Sequence, residues 1–293
     1  MSANAWIEEG ARFASDAPVN AMTVDVEDYF QVSAFEGRIE AADWERMPVR
    51  VEANTTRVLE LFGRHDVHAT FFTLGWVAER FPSLVRRIVD SGHEVASHGF
   101  DHTRVIHQDA TQFRADVVRT KQLLEDVTGT AVRGYRAASY SIGASNLWAL
   151  DVLQEAGYRY SSSIYPIRHD LYGMPEAPRF AFRVRAGGLL ELPITSVSAL
   201  GRRWPCGGGG FFRLFPYALS SWGLRRVNRE DRQPGIFYFH PWEVDPGQPR
   251  IDGIGLKTRL RHYLNLSRME DRLQRLLGDF RWDRMDRVFP VDG

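Results

Sequence analysis

The sequence predicts an α/β fold in which parallel strands alternate with helices. Seven short runs rich in β-branched and aromatic residues predict strands, at 21–26, 69–74, 93–97, 131–136, 158–162, 189–195 and 235–240. Amphipathic stretches with apolar residues at helical spacing lie between many of them, at 55–62, 84–91, 110–127 and 146–156. Strands and helices that alternate in this way indicate a parallel sheet, either closed or open.

Glycines punctuate this pattern. Gly92, Gly129 and Gly157 each follow a predicted helix, where a chain commonly turns through a left-handed residue. The stretch 202–216 contains four consecutive glycines at 207–210 and predicts a loop. No Gly-Lys-Ser/Thr follows the glycines, so a nucleotide site is not expected there. A last helix is predicted at 267–277, and its apolar residues are expected to pack on the main fold.

Composition excludes several classes of protein. At 293 residues and 44% hydrophobic content, the chain can bury the core of one barrel-sized domain or two modest ones. Lys plus Arg and Asp plus Glu both total 37, so no overall charge points to nucleic acid or an anionic membrane, and partners are expected at local sites. No run reaches the roughly 18 apolar residues of a membrane span. The single cysteine, Cys206, and a first segment unlike a signal peptide predict a cytoplasmic location.

Polar residues at the ends of two predicted strands suggest a metal site. Asp25, Glu27 and Asp28 follow the first strand, although three acids there would also suit a solvated turn. His98 and His102 follow the third strand, and two imidazoles four residues apart can meet at one ion if one helical turn separates them. Unrelated hydrogen-bonding roles are the alternative for the histidines. Together with a carboxylate they would form a His₂-carboxylate set, which suits Zn²⁺ and leaves a position open for water.

Two further strands also end in residues that could serve catalysis. Arg136 closes the fourth strand, where it could be a rim charge or could hold a carboxylate ionised by a bidentate pair. His240 closes the last strand, where it could be an internal histidine or a general acid facing the metal.

The order of these motifs resembles the NodB-homology polysaccharide deacetylases over about residues 20–245. The similarity is closest to the branch from exopolysaccharide loci with exosortase systems, at 24–30 (VDVEDYF), 134–139 (GYRAAS), 162–166 (SSIYP), 210–217 (GFFRLFPY) and 239–243 (FHPWE). That branch carries an extra C-terminal region, which 256–280 matches. The resemblance implies a distorted (β/α)₇ barrel with a C-terminal helical extension. We therefore divide the chain into an N-terminal extension (1–19), a deacetylase barrel (20–245) and a C-terminal extension packing on the barrel (246–293).

The resemblance also implies roles for individual residues. By position, Asp25 matches the catalytic base, Arg136 the arginine that orients the base, and His240 the catalytic acid. His98 and His102 match the metal-binding histidines. Since Val26 follows Asp25, the third ligand is either Glu27, which we favour, or Asp28. The implied cofactor is Zn²⁺ or another divalent transition metal, and substrate contacts are predicted for Ser139, Tyr140, Tyr165 and Trp242.

Two positions depart from the family's pattern. Ala138 stands where much of the family has proline, which predicts a looser loop beside the oxyanion. Ser161 stands where an aspartate is common, so His240 or Arg136 is expected to lack a supporting partner.

The predicted activity is hydrolysis of N-acetyl groups on N-acetylhexosamine units of an exopolysaccharide or its lipid-linked precursor. In that reaction a metal-activated water attacks the amide carbonyl, Asp25 takes its proton and His240 protonates the leaving amine. Aromatic residues near the strand ends could stack on sugar rings: Tyr29, Phe30, Phe100, Tyr140, Tyr165, Trp204, Phe211, Phe212 and Trp242. The alternatives are a small-molecule amidase on the same barrel and a non-catalytic glycan-binding protein of a polysaccharide assembly system.

Overall fold

A computed structural model describes residues 6–170 and 172–291 of the chain. Residues 1–5 of the predicted N-terminal extension and 292–293 of the predicted C-terminal extension lie outside the described residues. The strands are β1 (Ile7–Glu8), β2 (Asn20–Val26), β3 (Thr70–Thr73), β4 (Glu94–Ser97), β5 (Gly134–Tyr135), β6 (Tyr160–Ser161), β7 (Phe182–Arg183), β8 (Leu190–Glu191), β9 (Ser196–Ala199), β10 (Arg202–Pro205), β11 (Ile236–Phe239) and β12 (Trp282–Asp283).

Helices fill most of the intervals between strands. The α-helices are α1 (Gly10–Phe13), α2 (Val51–Arg64), α3 (Gly75–Arg80), α4 (Pro82–Asp90), α5 (Ala110–Thr128), α6 (Trp148–Glu155), α7 (Gly209–Leu214), α8 (Tyr217–Arg226), α9 (Leu256–Tyr263), α10 (Met269–Asp279) and α11 (Met285–Val288). Short 3₁₀ helices occupy Ser33–Phe35, Ala41–Arg46, Val105–His107, Ala138–Tyr140, Pro241–Val244 and Leu266–Arg268, and a π turn occupies Val227–Asp231. Within the described ranges, no helix is long and apolar enough to cross a membrane.

The predicted parallel α/β fold is confirmed. Parallel pairing joins β2, β3, β4, β5, β6 and β8 in chain order, and β11 pairs parallel with the other edge of β2. These strands are the seven that the sequence predicts. All seven residues of β2 are buried, as expected for a strand covered on both faces.

The barrel is distorted between its last two strands. There, β8 and β11 are joined through residues 206–208, because the Cys206 amide donates to the Thr195 carbonyl at 3.4 Å and the Tyr238 amide donates to the Gly207 carbonyl at 2.8 Å. A single parallel bridge between Gly208 and Tyr238 completes this side. The arrangement agrees with the distorted (β/α)₇ barrel that the resemblance implies.

The helices pack apolar faces on the barrel and end where the glycines predict. In α5 the buried residues Phe113, Val117, Thr120 and Leu124 recur at helical spacing. The helix ends at Gly129, whose φ of 66° is left-handed and costs a glycine little. Gly92 and Gly157 also have positive φ.

The prediction of a loop over 202–216 is wrong where the chain forms β10 and α7. β10 pairs antiparallel with β9, and the chain reverses through Leu200 and Gly201, both with positive φ. Leucine seldom adopts that conformation, so the sequence gives little sign of this hairpin. The glycine run then leads directly into α7.

The C-terminal segment contacts the barrel directly. β12 pairs parallel with the start of β2, where Trp282 is opposite Asn20. The predicted helix at 267–277 is confirmed as α10, and its residues Met269, Leu273, Leu276 and Leu277 are buried.

Candidate metal centre and active site

Predicted site residues from four strands meet at one edge of the barrel. Asp25 is the last but one residue of β2 and Glu27 follows that strand, His98 follows β4, and His240 follows β11. All four line one cavity of about 510 Å³, together with His102. The carboxyl ends of parallel strands share one edge, where α/β barrels place their sites. Arg136, after β5, is fully buried beneath this edge.

Glu27, His98 and His102 form a group that can hold a metal ion. Their candidate ligand atoms all lie within 4.8 Å of one another, and all three residues are buried. The His98 Nδ1–H donates to the Arg136 carbonyl at 2.8 Å, which leaves Nε2 free to bind a metal. Glu27 Oε2 is buried and lies 2.9 Å from His102 Nε2. Two imidazoles and a carboxylate fit a divalent transition metal.

The charges of these groups suit metal binding. Burial alone would raise the pKa of Glu27, but the neighbouring His102 and His240 outweigh it and lower that pKa to about 2. Burial lowers the pKa of His98 to about 4, more than the nearby Asp25 raises it. Near neutral pH, Glu27 is therefore an anion and His98 a neutral imidazole, which are the forms that bind metal.

The two histidines converge without the helical turn that the spacing suggested. Residues 98–102 are not helical, and Gly99 and His102 both have positive φ. The Phe100 amide donates to Asp116 Oδ1 at 2.8 Å, and the Gly99 carbonyl accepts from the Gly75 amide at 2.9 Å. A tight loop anchored to α5 and α3 therefore turns both imidazoles toward the cavity.

Of the two carboxylates proposed as third ligand, the structure brings only Glu27 to the histidines. Asp28 Oδ2 accepts hydrogen bonds from the Arg50 and Val51 amides at 2.6 and 2.8 Å. Burial raises the pKa of Asp28 to about 6 against these bonds. Asp28 is therefore not placed to be the third ligand, because its carboxylate binds backbone amides at the start of α2. The chain turns after β2, since the Glu27 amide donates to the Asp25 carbonyl at 3.1 Å, and residues 27 and 28 then lie in different surroundings.

Asp25 is held by a buried arginine, as predicted. Arg136 Nη1 donates to Asp25 Oδ1 at 2.5 Å and to Thr23 Oγ1 at 2.8 Å. The other side of the guanidinium contacts Ser162, with Nη2 at 3.0 Å from its Oγ and Nε at 3.1 Å from its carbonyl oxygen. The predicted lack of a partner for Arg136 is therefore wrong, because Ser162 supports it.

His240 lies beside the candidate metal group formed by Glu27, His98 and His102. Its Nε2 is 3.9 Å from Asp25 Oδ2 and 3.5 Å from Glu27 Oε1. Burial lowers the pKa of His240, but Glu27 and Glu243 outweigh this and raise it to about 9. His240 also has a partner, because its Nδ1 lies 2.8 Å from Glu243 Oε1. Glu243 was not among the predicted site residues, although it stands three residues after His240 in the FHPWE motif.

The loop after Arg136 is held at both ends, contrary to the looser loop expected from Ala138. The Ala137 amide donates to Ser163 Oγ at 2.9 Å, and Ser139 Oγ donates to Ser33 Oγ at 2.7 Å. Ser139 and Tyr140 both have positive φ and both line the cavity.

The other two predicted substrate residues are less accessible. Tyr165 is fully buried, stacks on Tyr172 and does not line the cavity, so the prediction of a substrate contact is wrong for this residue. Trp242 lines the cavity but is only 5% exposed, and its ring stacks on His240 and His262. Of the nine aromatic residues predicted as a sugar platform, the cavity is lined by Tyr140, Phe211 and Trp242. Two tyrosines that the sequence did not predict also line the cavity, Tyr172 and Tyr238.

Two family models match consecutive parts of the chain, and they meet inside the barrel. Residues 41–161 match the polysaccharide deacetylase family, and residues 162–290 match a domain of unknown function, DUF3473. The junction falls directly after β6. His98, His102 and Arg136 lie in the first matched region and His240 in the second, so one cavity draws on both.

Individual relatives agree with the first match. The chain is 34% identical over 113 residues to a peptidoglycan deacetylase of Helicobacter pylori, covering 39% of this chain and 38% of that protein. It is 31% identical over 99 residues to a chitooligosaccharide deacetylase of a Bradyrhizobium species, covering 34% and 43%. The chain thus spans less than half the length of these curated relatives.

A solved structure matches over nearly the whole chain. It is a Mycobacterium smegmatis protein provisionally described as a polysaccharide deacetylase, with a TM-score of 0.58 and 20% identity over 93% of this chain and 92% of that one. At this identity the likeness concerns the fold. Sequence similarity to polysaccharide deacetylases is therefore found over residues 41–161, and the similarity over nearly the whole chain is one of fold.

Proposed function

We propose that this protein is a metal-dependent hydrolase that removes N-acetyl groups from N-acetylhexosamine units of a glycan. The observation that carries the proposal is the meeting, in one cavity, of the Glu27, His98 and His102 group with Asp25 and His240. The matched relatives are named as deacetylases of peptidoglycan and of chitooligosaccharide, and these names agree with an N-acetylated substrate.

The residues divide the proton transfers of amide hydrolysis between them. When bound, a divalent metal would polarise the amide carbonyl and lower the pKa of water. Asp25, which accepts a hydrogen bond from Arg136, takes the proton of the water that adds to the carbonyl carbon. The carbon–nitrogen bond then breaks, and His240 donates a proton to the departing amine. The products are acetate and a free amino sugar.

Acetate release and metal content test this proposal together. Purified protein is expected to contain about one divalent metal ion and to release acetate from N-acetylglucosamine oligomers. His98→Ala should lose both properties, and Asp25→Asn should keep the metal but lose activity by at least about 10²-fold. His65→Ala changes an exposed histidine and serves as the matched control. Full activity and full metal content in His98→Ala would contradict the proposal.

For the substrate, we propose an exopolysaccharide or its lipid-linked precursor, made in the cytoplasm. The resemblance to the exopolysaccharide branch supports this choice. So does the lip of the cavity, by which we mean the exposed leucines Leu214, Leu256 and Leu260. Leu214 and Leu260 line the cavity although they are 53% and 52% exposed, and Leu256, one turn before Leu260, is 73% exposed. The same helix, α9, carries Lys257, Arg259 and Arg261 and no acid. Lys257 and Arg261 pair with Asp170, at 2.5 and 3.1 Å, so it is the exposed leucines that suit contact with a lipid surface.

Vesicle binding tests the lipid-linked form of the substrate. The protein is expected to sediment with phosphatidylglycerol vesicles, and the double variant Leu256→Ser, Leu260→Ser should lose at least about tenfold in affinity. Leu200→Ser removes a leucine that is 94% exposed at the β9–β10 turn and is the control. If the double variant binds as the control does, the lip is not a lipid contact.

A further inference from the structure

The carboxylate that contacts the His240 ring belongs to Glu243, three residues further along the chain. Glu243 lies in the 3₁₀ helix that follows β11 and is fully buried. Its Oε1 accepts from the His240 backbone amide at 3.1 Å and lies 2.8 Å from His240 Nδ1. These two contacts fix both the backbone and the ring of His240, and they leave Nε2 facing Asp25 and Glu27.

Glu243 is itself held by a buried arginine. Arg213, on α7 and 2% exposed, donates from Nε to Glu243 Oε2 at 2.6 Å. Its remaining donors bind three carbonyl groups at the end of α9, those of Arg261, His262 and Leu264, at 2.8 to 3.1 Å. The guanidinium therefore ties the partner of His240 to the segment that follows the barrel.

The glycine run explains how Glu243 comes so close to α7. A Cβ atom on Gly209 would lie 2.2 Å from Glu243 Oε1, and one on Gly208 would lie 2.6 Å from the Tyr238 ring. Any larger residue at position 209 would displace the Glu243 carboxylate. The two glycines therefore leave space for the Glu243 carboxylate and the Tyr238 ring. The loop predicted for this stretch gave no sign of this packing.

The position where the family commonly has aspartate does not serve this purpose here. Ser161 is fully buried, and its Oγ donates to Ser163 Oγ at 2.8 Å. It does not line the cavity that His240 lines. The support of His240 in this chain therefore comes from residues 213 and 243, both in the region matched to the domain of unknown function.

We propose that Glu243, held by Arg213, is the positioning residue for His240, and that residues 209–264 supply this support in place of an aspartate at position 161. The inference rests on the proposed function only for its kinetic consequence. A carboxylate on Nδ1 keeps a histidine in the orientation that lets the other nitrogen transfer a proton, and its loss in a comparable triad costs about 10⁴ in rate.

Two substrates separate positioning of the acid from a general structural role. An N-acetyl amide needs a proton on its leaving nitrogen, whereas 4-nitrophenyl acetate has a leaving group that needs none. Glu243→Gln is expected to lower kcat on N-acetylglucosamine oligomers at least about 10²-fold with little change in KM. Its rate on 4-nitrophenyl acetate should stay within about threefold. An equal loss on both substrates would overturn the proposal.

A spectroscopic readout keeps the inference testable without any activity. The His240 Nδ1–H proton should give a downfield ¹H NMR signal, identified by its loss in His240→Ala. This signal should move upfield by more than about 1 ppm in Glu243→Gln, where a neutral amide replaces the carboxylate. An unchanged signal would overturn the proposal. If the wild type is inactive but the signal moves, the proposed function fails while the positioning contact stands.

Further variants guard against misfolding. Gly209→Ala leaves the charges in place and should reproduce both effects of Glu243→Gln by displacing the carboxylate. Glu60→Ala, at an exposed glutamate on α2, is the matched control and should change neither readout. If Gly209→Ala folds and behaves as the control does, the arrangement around Glu243 is wrong.

Discussion

A buried ion pair between Arg136 and Asp25 lies beneath the cavity. The side chains of Arg136 and Asp25 are 0% and 3% exposed, and the guanidinium also lies 4.0 Å from the centre of the Phe72 ring. Every donor group on Arg136 for which a contact is described meets an oxygen of Asp25, Thr23 or Ser162. The pair is therefore a fixed element of the site, and removing one partner leaves the other as a buried, unpaired charge.

Arg136→Met should lower the free energy of unfolding by about 3–5 kcal/mol, because Asp25 then remains buried without its counter-charge. Adding Asp25→Asn removes that charge, so the double variant should be more stable than the single one. Urea unfolding at pH 7 measures both. A cost below about 1 kcal/mol for Arg136→Met would show that the pair does not act as described.

Glu191 makes stability depend on pH. It is fully buried, and burial raises its pKa to about 7 although the Ser163 and Ile164 amides donate to its Oε1. Because the folded-state pKa lies above the unfolded value, its contribution is fully present below about pH 4 and is lost as the pH rises through 7. Relative to Glu191→Gln, the wild type should lose up to about 3 kcal/mol between pH 5 and pH 9. A pH-independent difference in urea unfolding would contradict this.

Individual elements begin and end through local chemistry that the sequence displays. Asp109 precedes α5 and accepts hydrogen bonds from the Thr111 and Gln112 amides at 2.9 and 2.8 Å. The Gln112 side chain accepts from the Asp109 amide in return, at 3.0 Å. This capping box satisfies amides that would otherwise lack partners at the start of the longest described helix.

Asp109→Ala should therefore lower the free energy of unfolding by about 1 kcal/mol. Asp126→Ala changes another exposed aspartate of the same helix, away from its first turn, and should change stability by less than about 0.5 kcal/mol. Thermal unfolding of the two variants side by side checks the difference. Equal effects would show that the cap contributes nothing beyond loss of a surface charge.

The whole molecule folds its C-terminal segment into the same core as the barrel. Trp282 on β12 is 7% exposed, contacts the rings of Phe237 and Phe280, and donates from Nε1 to the Leu276 carbonyl at 3.1 Å. The family matches also cross the barrel, since their junction at 161–162 separates β6 from β8. The segment therefore belongs to one cooperative structure.

Trp282→Ala should lower the free energy of unfolding by about 3–5 kcal/mol, because it opens a cavity between β12 and the barrel. Circular dichroism and tryptophan fluorescence should still report one coincident transition in urea. Two separated transitions would contradict the shared core.

The sequence by itself determined the alternation of strands and helices, since hydrophobic periodicity is a local property that each segment carries. All seven parallel strands and the residues at their ends follow from it, and the family resemblance then assigned roles to Asp25, His98, His102, Arg136 and His240. The resemblance also favoured Glu27 over Asp28 as the third ligand, but only the structure shows which groups Asp28 contacts.

Only the tertiary structure decided which distant groups meet. The left-handed turn that aims His98 and His102, the burial of Tyr165, and the approach of Glu243 to Gly209 all depend on contacts between segments far apart in the chain. No local pattern encodes such contacts, because packing and hydrogen bonding to other elements select among conformations that each segment alone could adopt. The candidate metal-binding histidines were therefore predictable as residues, but their geometry and the contacts of His240 were decided by the assembled barrel.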